Sequence, residues 1–453
     1  MKAVLITMML TPASSFCCFF WTDNGDQCGT CTGPAAQGDW CNVNAANCGQ
    51  CGGGTWCGAD RPSPAPTTSL APTDERPPGP VQRWGALEVD YVRKRLVSSV
   101  TGEVVQLVGM SLFWSNSGWG GDKYYNDDVI FELSRKWPGL SVVRASIGVE
   151  DAGGYLDDPQ GNLARLRTVV DAAVKYGIYV VVCWHTHDGE VSWIHEKAIE
   201  FFDKVTVEYA GVPNVLYNVY NEPEPTGGIW SGTTWSQVKT YVLDMMPRIR
   251  ANTDAVVIVG TPNWSQRPHL ILNDTITEFD NIIYGIHFYS GWEGHNDIMD
   301  YAEIAIQEIP LIADEWGQGC PHIGCPILPN MTEAWISLLD EHQIGHINWV
   351  LNDKSDPIDD TLSVLKPGSS VAGGWTDDDL TEAGLYTKEI ISRYTLELPV
   401  ATTLPPTVAP TPVTWAPTTA KPTKYPTKYP TKYPTKYPTK YPTKYPTKYP
   451  TKY

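Results

Sequence analysis

Between about Val81 and Leu398 the sequence alternates two apolar patterns, and their number leaves few folds open. Eight short runs are continuous and rich in β-branched residues: Val104–Leu112, Val142–Val149, Ile178–Trp184, Val215–Asn221, Ala255–Gly260, Ile282–His287, Pro310–Asp314 and His346–Leu351. Runs of this length and composition read as strands buried on both faces. Between them lie stretches with helical spacing. In Asn162–Tyr176 the residues Leu163, Leu166, Val169, Val170, Ala173 and Val174 share one face, and Gly177 ends the pattern. Trp235–Ile249, Ile298–Gln307, Met331–His342 and Thr381–Ser392 repeat it, and a weaker stretch, Asn273–Asp280, fills the fifth crossover. Eight strands parted by helices over about 300 residues predict an α/β fold, a single (β/α)8 TIM barrel.

Outside that region the chain changes character. Met1–Leu10 carries one lysine and then a short apolar run, and Ala13-Ser14-Ser15 supplies small residues, the pattern of a secretory signal peptide over 1–15. That run is too short to span a bilayer, and no later stretch approaches the apolar length a membrane helix needs. Eight of the 11 cysteines fall between Cys17 and Cys57, with Cys28-Gly-Thr-Cys31 echoed by Cys48-Gly-Gln-Cys51. In a secreted chain this predicts a small disulfide-rich module over 16–60 rather than a zinc ribbon. Its Phe19, Phe20, Trp21, Trp40 and Trp56 suit either polysaccharide binding or a protective cap. Residues 61–80 are a Pro/Thr/Ser linker, and 399–420 a second Pro/Thr linker. Eight tandem copies of Pro-Thr-Lys-Tyr follow over 421–453, a disordered tail whose lysines suit an anionic polymer or a cell wall.

The chain has a net charge of −18, and its tail holds nine lysines and no acid, so the remainder is more acidic still. That balance argues against nucleic acid and against a membrane surface, and suits a secreted monomer. Asn263, Asn273 and Asn330 head glycosylation sequons. Cys320 and Cys325 are close enough to staple one loop, and Cys183 reads as a buried free thiol.

Two of the strand-like runs end on a carboxylate. Leu216-Tyr-Asn-Val-Tyr-Asn-Glu222 stops at Pro223, and Pro310-Leu-Ile-Ala-Asp-Glu315 leads into Trp316-Gly317. In a barrel the C-terminal strand tips line the mouth, so Glu222 and Glu315 should meet there. Paired carboxyl groups across one gap are what glycosidic cleavage needs, one as acid and one as base or nucleophile. Arg144, His185, His287, Tyr289 and Trp349 fall at other strand tips. His185-Thr-His187 also invites a metal reading, but no further ligand set with metal spacing accompanies it, so no metal or other cofactor is expected.

Trp184-His185, Tyr220-Asn221-Glu222-Pro223, His287-Phe-Tyr289 and Asp314-Glu315-Trp316-Gly317 together resemble the signature of glycoside hydrolase family 5, in its bacterial-type endoglucanases. Gly109-Met-Ser-Leu-Phe-Trp114-Ser115, Trp264-Ser-Gln266 and Trp349-Val-Leu-Asn-Asp-Lys354-Ser355 extend the match, whereas Pro262-Asn263 departs from the small residues expected there. The resemblance implies a retaining endo-β-1,4-glucanase acting on cellulose or a related β-glucan. Glu315 would be the nucleophile and Glu222 the acid/base. Asn221 would bind the sugar 2-OH, His185 and His287 line the reacting subsite, and Trp349 stack under the ring. Lys354 and Trp114 would make contacts further along the glycone side. Arg144 and Tyr289 would keep Glu315 ionised, and its charge would push Glu222 upward. Mannan or xyloglucan is the alternative substrate, and a wall-binding protein that does not cut is the alternative class.

Overall fold

The computed structural model describes residues 16–18, 55–57, 79–189, 192–224, 234–292, 295–321, 325–354 and 361–395. The expected signal peptide, the second linker, the repetitive tail and the first linker up to residue 78 lie outside them, and Pro80, expected to end that linker, opens a helix. Of the cysteine-rich segment, β1 (Phe16–Cys18) and β2 (Thr55–Cys57) are described, and they pair antiparallel with Cys17 opposite Trp56.

The expected barrel is present. A short helix α1 (Pro80–Trp84) leads into a hairpin, β3 (Leu87–Asp90) and β4 (Arg95–Ser98). Eight parallel strands then close on themselves in sequence order. They are β5 (Val108–Leu112), β6 (Val142–Gly148), β7 (Tyr179–His185), β8 (Val215–Tyr220), β9 (Val257–Gly260), β10 (Ile282–Tyr289), β11 (Leu311–Gly317) and β12 (His346–Leu351). The first is shorter than its apolar run, because Val104 bridges to Val97 of the hairpin instead.

Alternation along the strands divides the core in two. Val142, Val181, Leu216, Ile258, Ile283, Ile312 and Ile347 fill the barrel, joined by Trp84, Leu87, Val89 and Leu96, so α1 and the hairpin plug its N-terminal end. Their neighbours Val143, Val180, Tyr217, Val257, Tyr284, Leu311 and Ala313 face the helices. Burial on both faces is why these strands read as continuous apolar runs.

Helices α2 (Asp127–Lys136), α3 (Pro159–Tyr176), α4 (Ser192–Glu208), α5 (Trp235–Arg250), α6 (Asn296–Ile306), α7 (Pro329–Glu341) and α8 (Glu382–Ser392) form the outer layer. In α3 the ends follow from local chemistry. Asp158 accepts a hydrogen bond from Gly161 N at 2.9 Å, Pro159 takes the first position, and Gly177 at φ 73° stops the helix.

The fifth crossover corrects the sequence reading, because Asn273–Asp280 is not helical. A 3₁₀ turn, Pro268–Ile271, precedes it. Side chains from neighbours satisfy the backbone that a helix would have satisfied internally. Trp235 Nε1 donates to Asp274 O at 2.8 Å, Lys239 Nζ to Thr275 O at 2.9 Å, and Ile276 N donates to Tyr284 Oη at 2.8 Å.

Candidate active site

Three strands carry one extra residue at their C-terminal ends, and each surplus sits beside a residue that the sequence marks out. Between Asn218 and Tyr220, β8 takes two steps while β9 takes one. Val219 and Tyr220 therefore both face the helices, and Asn221 and Glu222 turn toward the mouth. In β11 the pairing runs from Ile312 opposite Gly285 to Glu315 opposite His287, three steps against two. Asp314 and Glu315 consequently both reach groups of the mouth, while Trp316 faces outward. β12 has its surplus between Asn348 and Leu351, at Trp349 and Val350. A bulge re-aims a side chain by breaking the period of two.

These re-aimed residues converge with the rest of the set. One oxygen from each of Glu222 and Glu315 and one ring nitrogen of His287 lie within 4.8 Å of one another. Fully buried Arg144 donates from Nη1 to Glu315 Oε2 at 3.0 Å and from Nη2 to Asn221 Oδ1. Tyr289 Oη donates to the other oxygen of Glu315 at 2.5 Å. His287 Nδ1 meets Glu222 Oε1 at 2.7 Å, and His187 Nε2 lies 3.4 Å from Glu222 Oε2. The Asn221 Nδ2 amide is buried with no hydrogen-bond partner among the described residues.

Aromatic rings continue the site. His185 lies between Trp349, stacked at 5.2 Å, and the edge-on ring of Trp114 at 4.1 Å. Trp114 touches Trp119, and the Lys354 ammonium sits 4.2 Å from the centre of the Phe113 ring, which packs on Trp349. Trp264 is 37% exposed on a turn where Asn263, Trp264 and Ser265 all take left-handed φ near 60°. Thus Arg144, His185, Asn221, Glu222, His287, Tyr289, Glu315, Trp349, Trp114 and Lys354 belong to one connected neighbourhood.

Two features differ from the sequence reading. The first is the split of the paired histidines: His185 is held between tryptophans, and His187 belongs with Glu222. The second is electrostatic. Burial alone would raise Glu222, but hydrogen bonds from His187 and His287 and their positive charges outweigh it and hold Glu222 below the usual carboxylate range. Burial also opposes charge on the two imidazoles, yet carboxylates on both sides raise His187 to about 9 and His287 to about 10. Glu315 is raised by burial; the charge of Glu222 adds to the rise, and His287, Arg144 and Tyr289 oppose it. The expected upward push on Glu222 by Glu315 is therefore overridden by His287, which the sequence placed at the mouth, and by His187, which it did not. Protons here are shared, and the carboxylates beside His187 and His287 favour their protonated forms. His287 is held between carboxylates, and the buried Arg144 guanidinium lies beside them.

Elsewhere the expectations for Cys183, Cys320 and Cys325 agree with the structure. Cys320 and Cys325 form a disulfide after β11, and Cys183 is a buried free thiol inside the barrel.

Comparison with known proteins adds a family to this geometry. Residues 98–355 match the model of cellulase (glycosyl hydrolase family 5), and residues 417–452 match the PT disordered repeat. Endoglucanase Z of Dickeya dadantii is 38% identical over 288 residues, 63% of this chain and 62% of that protein. Endoglucanase A of Evansella cellulosilytica is 33% identical over 64% of this chain and 57% of its own length. The match therefore spans about three-fifths of these curated relatives. Among solved structures, one from Cytophaga hutchinsonii shares 34% identity at TM-score 0.63, covering 70% of this chain and 97% of the other. The catalytic domain of Thermobifida fusca endoglucanase Cel5A, in a complex with cellotetraose, aligns at 26% identity and TM-score 0.62, covering 69% and 99%.

Proposed function

The chain belongs to glycosyl hydrolase family 5, and on that premise we propose that it is a secreted, retaining endo-β-1,4-glucanase that cuts cellulose or a related β-glucan by double displacement. The observation that carries this reading is the separation of the two carboxyl groups. Oxygens of Glu222 and Glu315 lie within 4.8 Å. Retaining enzymes hold their carboxyl groups about 5–5.5 Å apart, and inverting ones about 6.5–9.5 Å to admit a water. The cellotetraose held by the Thermobifida enzyme supports a β-1,4-glucan as the polymer.

In this mechanism Glu315 attacks the anomeric carbon and forms a glycosyl-enzyme. Arg144 and Tyr289 fix its two oxygens, so one face of the carboxylate is aimed before substrate arrives. Glu222 delivers the cluster's proton to the departing glycosidic oxygen. In the second step it takes a proton from the water that releases the sugar, returning it to the cluster. The free Asn221 amide suits the sugar 2-OH, a contact that strengthens as the ring flattens. Trp349 and Trp114 offer apolar faces for the pyranose rings.

The test is to collect the full chain from culture medium and incubate it with soluble β-glucan, mannan and xyloglucan side by side. Rapid appearance of mid-length β-glucan fragments, with β-configured new ends by NMR, is expected. Faster cutting of mannan or xyloglucan would move the substrate assignment, and α-configured ends would overturn the retaining mechanism.

A further inference from the structure

Asp314 is a carboxylate that the double displacement leaves unused, and the barrel goes to some length to bury it. Its side chain is fully buried inside the barrel wall. It keeps the inward position that alternation from Ile312 and Ala313 gives it, and the surplus residue of β11 brings its neighbour Glu315 to the same side. Gly285 on β10, paired with Ile312 in the ladder, makes the room: a methyl at that position would lie 2.6 Å from Asp314 Oδ1. An isolated buried carboxylate is costly, so its partners show what holds it. Asn218 Nδ2 donates to Oδ2, and Arg144 Nε lies 3.8 Å from the same oxygen. The other oxygen, Oδ1, lies 3.3 Å from His287 Nε2, while Nδ1 of that ring meets Glu222 at 2.7 Å.

We propose that Asp314 is a positioning residue for the acid–base step, keeping on the His287–Glu222 pair the proton that Glu222 delivers. The inference rests on the glucanase reading for its role in turnover, but the Asp314–His287 contact stands independently of it. With Glu222 2.7 Å from Nδ1 and Asp314 3.3 Å from Nε2, the two carboxylates favour a proton on each nitrogen of His287. The negative charge of Asp314 favours the proton whether it sits on His287 or has moved to Glu222. Removing that charge therefore lowers the pH at which the pair becomes empty.

Other groups face this pair from every side. Arg144 comes from β6, and Cys183 and His185 from β7, with His187 just beyond it. Tyr289 lies on β10 and His295 follows it, and Glu315 is on β11. Cys183 stays protonated through burial, and burial likewise keeps His185 and His295 neutral, which leaves Arg144, His187 and Glu315 as the charged neighbours. Arg144 and His187 oppose the proton, and Glu315 and Asp314 retain it. Of the two carboxylates, Asp314 lies nearer to His287, at 3.3 Å against 3.9 Å for Glu315.

The test compares the wild type with Asp314→Asn in the full chain. In kcat/KM on β-glucan the alkaline limb should move to lower pH by about 1 unit or more. At the optimum, turnover of β-glucan should fall further than turnover of an activated aryl cellobioside, whose leaving group needs little acid help. A folded variant with wild-type thermal stability and an unmoved alkaline limb would overturn the proposal, as would equal losses on both substrates. Should the variant not fold, ¹⁵N NMR of the wild-type histidines decides: both nitrogens of His287 should be protonated at pH 7, and a neutral ring there refutes the inference. An inactive wild type would instead count against the glucanase reading, and the NMR result would still settle the state of His287.

Discussion

At the level of single residues, the site works by denying each carboxylate its ordinary environment. Glu315 has a donor on each oxygen, and Glu222 an imidazole on each. This division predicts how turnover responds to pH and to mutation. A group whose pKa is raised holds its proton until the pH passes the raised value. His187 and His287 should therefore supply the cluster's proton up to about pH 9, and activity on β-glucan should fall as the pH climbs from about 9 to about 10. Glu222→Ala should reduce hydrolysis of β-glucan about 10²–10⁴-fold while sparing aryl glycosides with activated leaving groups; equal losses would contradict its acid role. Much of this set was legible in the sequence, because Glu222, Glu315, His287 and Tyr289 stand where strand-like runs end. His187 was visible only as half of a histidine pair. The run ending at Trp184 leaves His185 at a strand tip and His187 in the segment beyond it, whose contact with Glu222 emerged only in three dimensions. Asp314 was hidden for a related reason: a strand read with period two puts neighbours on opposite faces, and only the bulge brings both into the mouth.

Among the elements, the strands were the more legible part and the helices less so. Buried parallel strands announce themselves as unbroken apolar runs, and β12 has the expected bounds, His346–Leu351. Helix α4 carried a usable signal in Ile194, Ala198, Phe201, Phe202 and Val205, buried residues at helical spacing, yet it was not singled out. The plug formed by β3 and β4 had no comparable signature, because its residues pack against strands distant in sequence. Closure of the barrel depends on the close approach of β5 and β6, and Gly109 marks it. A Cβ there would lie 1.7 Å from Val142 O, backbone that cannot yield without opening the sheet. Gly109→Ala should therefore cost about 3 kcal/mol or more, read as a lower denaturation midpoint at unchanged slope. A loss below about 1 kcal/mol would show that the seam between these strands is slack.

For the molecule as a whole, one barrel explains why residues scattered from Trp114 to Lys354 act as a unit. Each strand contributes its C-terminal tip to the same opening, and bulges in three strands adjust which side chains are presented there. The family match covers this region, and the repeat match covers the tail separately, so the chemistry is assigned to the barrel alone. The most direct test traps the covalent step. The full chain is incubated with an activated 2-deoxy-2-fluoro cellobioside, which slows release of the glycosyl-enzyme, and the labelled peptide is mapped by mass spectrometry. One fluorocellobiosyl group per molecule, attached to Glu315, is the predicted result. A label on any other residue, or complete turnover of β-glucan by a protein in which Glu315→Gln has been made, would contradict the account.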